Sequence, residues 1–511
     1  MNKGGITISI AAAILICMST SATAGGEIVP VEPTVKAEAP TQATSKRQLK
    51  ENMTLVYNTL PGSVDNIGDM FSEGIFYGRL RSNSFYWDWD SEALDPEDNK
   101  AMGMGGSLIY KSAALNGFSF TMGYYGSLNP GFFNEDASDV GIVKSGKDTF
   151  SRYKVLKTGD YGMHVLGEAY LEYNNGTVDV IAGRQLFESV FTASNDTKMI
   201  PNTFDGISIA AKIAPKTTAR VAWFAEQKLR DHENAHDVVT FKDEAGESWN
   251  NNDDAVVHKG LSYANFLKAG EDPDHNLFMA DVNTKYIDNL DFTISGLSLP
   301  GVVNDIVAEA HYRVLLDNGW AIRPGVRYFH QMDDGGGAVA VKGADGLDMS
   351  GKVATGYSAD VINGHSLDSS LFAARVDTET PNQKGLLRFA YSKVADKADI
   401  LAPWRGFPTG GFTRLMGQYN WAANTETYMV QGSYKFNPLF NTSLGYAIQD
   451  FDDAKVNVQA DSNVWHMDNV SKLAKDLEMK VRIALVSADP GTTGKDDSSY
   501  NEYRLEFNYL F

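Results

Sequence analysis

Cysteine is almost missing: Cys17 is the only one in 511 residues, and it falls within an apolar N-terminal run. A disulfide-stapled secreted fold is therefore excluded. No apolar stretch reaches the roughly 20 residues that a membrane helix needs, which excludes helical spanning. Basic charge is also scarce, since 45 Lys and Arg stand against 65 Asp and Glu for a net charge of −20. Nucleic acid is thereby disfavoured as a partner. There is no phosphate-binding glycine loop, nucleophile elbow or cysteine pair, so no cofactor and no enzymatic step are expected.

The chain opens with Lys3, an apolar run from Ile6 to Met18, and small residues ending in Ala22-Thr23-Ala24. This is the pattern of a secretory signal peptide over 1–24. The bulky Ile16 before Cys17 argues against a lipoprotein anchor. Residues 25–73 are expected to be a periplasmic spacer and short segment. Gly25 to Ser45 is rich in Pro, Ala, Glu and Thr and cannot bury a core. Lys46 to Glu73 is more ordinary, with a short helix and a break at Pro61-Gly62-Ser63.

In lipid, only helices and closed barrels satisfy every backbone polar group. An exported membrane protein without apolar helices must be a barrel, and residue alternation separates that class from a large soluble periplasmic protein. From Gly74 onward, segments of about ten residues alternate apolar and polar. Phe118, Phe120, Met122 and Tyr124 alternate with Ser119, Thr121 and Gly123. Ile306, Ala308, Ala310, Tyr312, Val314 and Leu316 alternate with Asp305, Glu309, His311 and Arg313. Trp320, Ile322, Val326 and Tyr328 alternate with Arg323 and Arg327.

Tight connections at Asn174-Asn175-Gly176, Ala214-Pro215-Lys216, Asp288-Asn289, Asp317-Asn318-Gly319 and Phe436-Asn437-Pro438 read as hairpin turns. Long polar connections at Asp231–Asp274, Met332–His365 and Phe451–Asn463 fall between them. The expected fold is all-β: one transmembrane antiparallel barrel over 74–511, of about eighteen strands. In the last strand, Leu505, Phe507, Tyr509 and Phe511 oppose Arg504, Glu506 and Asn508. An aromatic end of this kind is expected to engage the barrel-assembly machinery. Trp87, Trp89, Trp320 and Trp421 are expected as interfacial or loop aromatics.

Several stretches resemble one family. FYGRLRSNSFYWDWD (Phe76 to Asp90), AGRQLFESVFTASNDTKMIPNTFDG (Ala182 to Gly206), PWRGFPTGGFTR (Pro403 to Arg414) and SYNEYRLEFNYLF (Ser499 to Phe511) are similar to segments of the OprD-type outer-membrane porins, in particular the Opr family porin branch. The resemblance implies eighteen strands, an inward-folded constriction loop with Glu188, Asn195, Asp196, Lys198 and Pro201, and a ladder of basic side chains. It also implies passive uptake of small solutes, often carboxylate-bearing. Implied partners are outer-membrane lipid, lipopolysaccharide and the solutes themselves, with monomer and homotrimer both open.

The alternation independently turns Arg79, Arg81, Arg220, Arg313, Arg323, Arg327, Arg375, Arg388, Arg482 and Arg504 inward, facing acids such as Glu168, Glu172, Glu309 and Glu506. Arginine remains charged and offers a fork of donors to a carboxylate, so the set could guide an anionic group. The plainer reading is that each arginine pairs with an acid on a neighbouring strand. Acidic runs at Asn134–Asp139, Asp243–Asp254 and Asp333-Asp334 read as solvated outer loops.

His232-Glu233-Asn234-Ala235-His236 fits the H-E-x-x-H pattern of zinc peptidases. However, it lies in a long acidic loop without an apolar helix face or a third ligand, and no metal is expected. Gly335-Gly336-Gly337 reads as a flexible turn. Two functions remain in view: a passive diffusion pore, and an adhesin or structural barrel with a closed lumen.

Overall fold

The alternation after Gly74 produces the strands it predicts. The computed structural model describes residues 47–50, 53–90, 98–140, 145–194, 196–240, 260–344, 366–418, 420–454, 459–489 and 499–511. The expected signal peptide, the Gly25–Ser45 stretch, Asn195 and the acidic run Asp243–Asp254 lie outside these residues.

Eighteen long strands close into one barrel. They are β1 Ile75–Trp89, β2 Asn99–Lys111, β3 Phe118–Leu128, β4 Met163–Asn174, β5 Val178–Gln185 and β6 Thr203–Ala214. Then come β7 Thr217–Lys228, β8 Leu277–Thr284, β9 Leu290–Leu299, β10 Val303–Tyr312, β11 Ala321–Asp333 and β12 Ser369–Glu379. The circuit ends with β13 Gly385–Val394, β14 Glu426–Asn437, β15 Phe440–Asp450, β16 Asp461–Ala474, β17 Leu477–Asp489 and β18 Tyr500–Leu510.

Successive long strands pair antiparallel, and β18 closes on β1 in a register running from Tyr500↔Trp89 to Leu510↔Arg79. Phe511 and Gly78 then exchange both backbone hydrogen bonds at 3.0 Å. At one end the connections are short, as at 175–177, 215–216, 438–439 and 475–476. The tight turns use left-handed residues where the chain reverses, including Gly176, Lys216, Asn289 and Gly319. At the other end most are long: 129–162, 186–202, 229–276, 334–368 and 395–425.

Burial is inside-out. Phe118, Met122, Tyr124, Ile306, Tyr312, Val326, Tyr328, Leu505 and Tyr509 are exposed, while Ser119, Thr121, Asp305, Glu309, His311, Arg327, Glu506 and Asn508 are buried. Apolar side chains thus face outward, as a wall in hydrocarbon requires.

The inward face carries more than the charged residues that the alternation singles out. The lumen is not polar throughout, because at the long-loop end Leu277, Leu297, Val303, Phe329 and Leu371 face inward. They pack against Val238, Leu261, Phe266, Val339, Ile400, Trp404 and Phe412 from the folded-in connections. Burying each large apolar side chain contributes about 1.5–3 kcal/mol, which holds the loops inside.

Trp87 is a correction: it lies in the lumen rather than at a membrane interface. Its ring is 4.6 Å from that of Tyr500, with the Lys147 ammonium 3.9 Å above it. The inward-folded connection 129–162 supplies that lysine, so an aromatic face is desolvated inside. Trp421 is buried in the folded-in connection 395–425, whereas Trp320 is exposed near the short-turn end. Gly336 opens a helix, Gly336–Ala344, in place of a flexible turn.

Closure at the β1–β18 seam depends on Gly78, where a Cβ would lie 2.2 Å from the Ser107 carbonyl oxygen and 2.7 Å from the Phe511 ring. Gly78→Ala should destabilise the barrel by about 1–3 kcal/mol through overpacking, lowering the temperature of the heat-modifiable gel shift. Gly432→Ala, where a Cβ meets nothing within 4 Å, should leave that temperature unchanged.

Candidate functional site

The connection 186–202 between β5 and β6 folds into the lumen and reaches residues of β1, beside the β1–β18 seam. Its Asp196 carboxylate is shared between two buried guanidiniums, Arg79 and Arg81, the latter at 2.8 Å. Arg81 also reaches Glu506 at 2.5 Å. Asn83 donates to the carbonyls of Thr197 and Lys198, both at 3.1 Å. Thus alternate residues of β1, at 79, 81 and 83, form one inward row that holds the tip of the connection.

Lys198 is equally committed. It donates to the Lys147 carbonyl at 2.9 Å, lies 3.6 Å from Asp148, and stands over the Phe85 ring at 4.8 Å. Burial pulls its pKa well below the ordinary lysine value, against the opposing attraction of Asp148. Burial also opposes ionisation of Asp148, yet Arg230 at 2.6 Å and Lys198 hold its carboxyl well below the usual range. At the root of the connection, Glu188 Oε1 accepts from the Ser194 amide at 3.0 Å and its carbonyl accepts from Arg220. The Pro201 carbonyl accepts from the buried Lys228 ammonium at 2.9 Å.

The ten arginines all lie on the lumen side, and each has an acid within ion-pair distance. Many of these pairs are direct cross-strand neighbours: Arg220 with Asp281, Glu309 with Arg327, and Asp377 with Arg388. Arg313 and Arg323 share Glu379. Arg375 lies 3.4 Å from Asp377.

Five of the ten are anchors for folded-in chain, Arg220 through the Glu188 carbonyl. Arg79 and Arg81 hold Asp196. Arg327 donates to the carbonyls of Pro408 and Gly410, Arg375 donates to that of Gly411, and both guanidiniums face the Phe412 ring, at 4.7 and 5.1 Å. The connection 395–425 in turn meets 186–202, since the Ala193 amide donates to the Trp404 carbonyl and the Gly406 amide to that of Phe191. Of the inward acids, Glu168 accepts from the Tyr125 hydroxyl at 2.7 Å, Glu172 pairs with Lys111 at 2.6 Å, and Glu309 binds His311 as well as Arg327.

Arg482 and Arg504 occupy a different setting. With Lys480, Glu506, Asn83 and Thr197 they line a small polar niche beside the tip of the inward connection. They are opposite each other across β17 and β18, and Asp468 and Glu502 flank them at 3.1 and 2.5 Å. Lys480, Lys147 and Asp148 are partners that the sequence reading missed. Lys480 was legible as the inward residue two before Arg482, whereas the other two come from a loop without alternation.

The H-E-x-x-H segment forms no helix, and among the described residues no cluster of metal-ligating side chains is found. Glu233 accepts instead from Lys154 and from the His164 amide, and His236 lies against the carbonyls of Asp237 and Thr240. Two of the expected outer-loop acids are structural too: Glu135 accepts from the Lys100 amide, and Asp333 from the amides of Gly337 and Leu367.

Comparison of the whole chain with known proteins gives matches of fold only. The barrel superposes on OccAB1 of Acinetobacter baumannii with a TM-score of 0.62 and 15% identity, over 86% of this chain and 97% of that one. OpdK of Pseudomonas aeruginosa, crystallised with vanillate, gives 0.62 and 12% over 86% and 99%. A BenF-like porin from Pseudomonas fluorescens gives 0.62 and 13% over 86% and 99%. This is the fold of the OprD-type porins. No family model and no curated protein matches the sequence. In this OprD-type barrel the inward connection 186–202 is therefore positioned by residues that the chain itself supplies, above all Asp196 and the β1 row.

Asp196→Ala would leave two buried arginines facing one another, and should cost about 3–5 kcal/mol of stability, as breaking a buried pair does. Denaturant unfolding of the refolded barrel measures this, and a double-mutant cycle with Arg81→Ala should show coupling.

Acid should loosen the connection 229–276 through His236, whose pKa burial and the neighbouring His232 push down to about 3 from 6.5. A histidine depressed in the fold contributes stability that is complete above its unfolded value near 6.5 and is lost as pH falls toward the folded one. Asp231, raised to about 6 by burial and by Asp148, acts in the opposite sense, contributing most at low pH and losing it as pH rises through about 6. Hydrogen exchange over 229–240, normalised for intrinsic rate, should therefore rise more steeply between pH 6.5 and 3 in Asp231→Asn, and flatten in His236→Asn.

Proposed function

We propose that the protein is a passive diffusion pore of the bacterial outer membrane for small hydrophilic solutes, with carboxylate-bearing ones favoured. The observation that carries this reading is the closed eighteen-strand barrel of OprD-type fold, whose inward wall carries Lys480, Arg482 and Arg504 beside the tip of the inward connection. There, three cations stand close together on one stretch of the inward wall, in surroundings of reduced dielectric where a fixed charge acts more strongly than in water. In this reading Phe187 to Asp205 is the constriction. Arg327 and Arg375 act through the loop they anchor, and Arg482 and Arg504 meet the solute. The protein supplies no chemical step. Crystallisation of OpdK with vanillate, a carboxylate, is consistent with the solute class.

A second reading, a structural or adhesive barrel with a closed lumen, draws on the apolar packing of the folded-in connections. Purified protein in a planar bilayer separates the two: a pore conducts in discrete steps, and a closed barrel gives none. Under a salt gradient, the Arg482→Gln/Arg504→Gln variant should show a severalfold lower anion-to-cation permeability ratio than the parent. Stepwise conductance with an unchanged ratio would remove these two residues from the selectivity site.

A further inference from the structure

The N-terminal segment crosses the rim of the barrel. Its hairpin, Arg47–Leu49 paired with Leu55–Tyr57, lies inside. Met53 at its turn is buried, and its carbonyl accepts from the lumen-facing Arg79 guanidinium at 2.7 Å. The Tyr57 ring meets Tyr77 at 5.3 Å, and Leu55 and Tyr57 pack against a lumen cluster that includes Tyr125, Met199 and Ile200. Arg47 lies 3.7 Å from Asp476, in the short turn between β16 and β17.

The helix that follows, Ile67–Ser72, lies outside. The Phe71 ring is 5.3 Å from Phe120 on the outward face, and the Tyr110 hydroxyl donates to the Phe71 carbonyl at 2.7 Å. Ile67 and Phe71 are exposed beside outward-facing Phe76, so their apolar surface continues that of the wall. Between hairpin and helix, Ser63–Val64 pairs parallel with Ala114–Leu115 at the connection of β2 and β3. The Ala113 and Ala114 amides donate to the Met70 and Gly62 carbonyls.

We propose that the hairpin of Arg47–Leu49 and Leu55–Tyr57 is a built-in plug, entering the lumen from the short-turn mouth and coupled through Arg79 to the connection that carries Asp196. One guanidinium bonds the Met53 carbonyl on one side and the Asp196 carboxylate on the other. Two of the side chains that Leu55 and Tyr57 touch as a group, Met199 and Ile200, belong to that same connection. Withdrawal of the hairpin therefore removes support from both. The hairpin's own contacts are few, and the outer helix makes them sufficient: with the helix held at the rim, a short tether keeps the hairpin at a local concentration of about millimolar order. The effect on flow rests on the pore reading, while occupancy of the lumen does not.

The test uses the full chain with Cys17→Ser, so that an introduced thiol is the only one. Met53→Cys in the folded barrel should react with a membrane-impermeant maleimide about tenfold or more slowly than Asp65→Cys, an exposed position outside the hairpin. Adding Leu55→Ser/Tyr57→Ser should raise the Met53→Cys rate and also the single-channel conductance. Deletion of 47–57, with folding checked by the heat-modifiable gel shift, should raise conductance further. Equal labelling of the two cysteines would overturn the plug, as would a conducting barrel whose conductance neither variant changes. If the barrel never conducts, the pore reading fails, and labelling alone decides whether the hairpin occupies the lumen.

Discussion

A β-sheet in hydrocarbon can leave no edge, because each unpaired N–H or C=O costs several kcal/mol where water is absent. The seam between β1 and β18 meets that constraint, and the interior follows from it. Closure in this register brings Arg79 and Arg81 of β1 beside Glu506 of β18, so two cations meet one anion from a sequence-distant strand on one stretch of wall. Only a carboxylate arriving from elsewhere can hold them both, and the connection 186–202 delivers Asp196. The fold of that connection is thus a consequence of the seam as much as of its own sequence.

The interior charges are balanced locally. Arg482 and Arg504 are directly opposite, an arrangement that costs energy when alone, and Asp468 and Glu502 flank them. Glu309 lies between Arg327 and His311, and Asp377 between Arg375 and Arg388. Such buried networks are weak stabilisers relative to apolar packing, but removing one member leaves an uncompensated charge. They specify geometry, since a guanidinium bound on both sides can point in only one direction.

The barrel was legible because alternation with period two is a local property, and the hydrocarbon outside enforces it on every strand. The ion pairs were partly legible for the same reason. Arg375 and Asp377, two residues apart, had to share a face, and Glu309 likewise had to face inward. The roles were not legible, because Arg327 and Arg482 look alike in sequence. One meets the carbonyls of Pro408 and Gly410, and the other lines the niche, according to which loop folds over it. The apolar residues inside were not legible for a related reason. Phe329 and Leu371 alternate correctly, but their inward face meets Trp404, Phe412 and their neighbours from a connection without periodicity. The interior position of Trp87 likewise depends on Lys147, in a connection that carries no strand signal.

The lumen consequently has two unlike arcs. Along β8 to β13 the inward face at the long-loop end is apolar and covered by connections packed upon it. Along β16 to β18 and β1 it is charged, and Lys480, Arg482 and Arg504 stand there. A solute that must stay hydrated gains nothing from the first arc and can exchange water for charge along the second. The apolar arc still matters to the charged one, because it fixes the connection 395–425, whose Trp404 and Gly406 bond to 186–202. Apolar burial on one side of the barrel thereby helps to hold in place the connection that brings Asp196 to the charged arc.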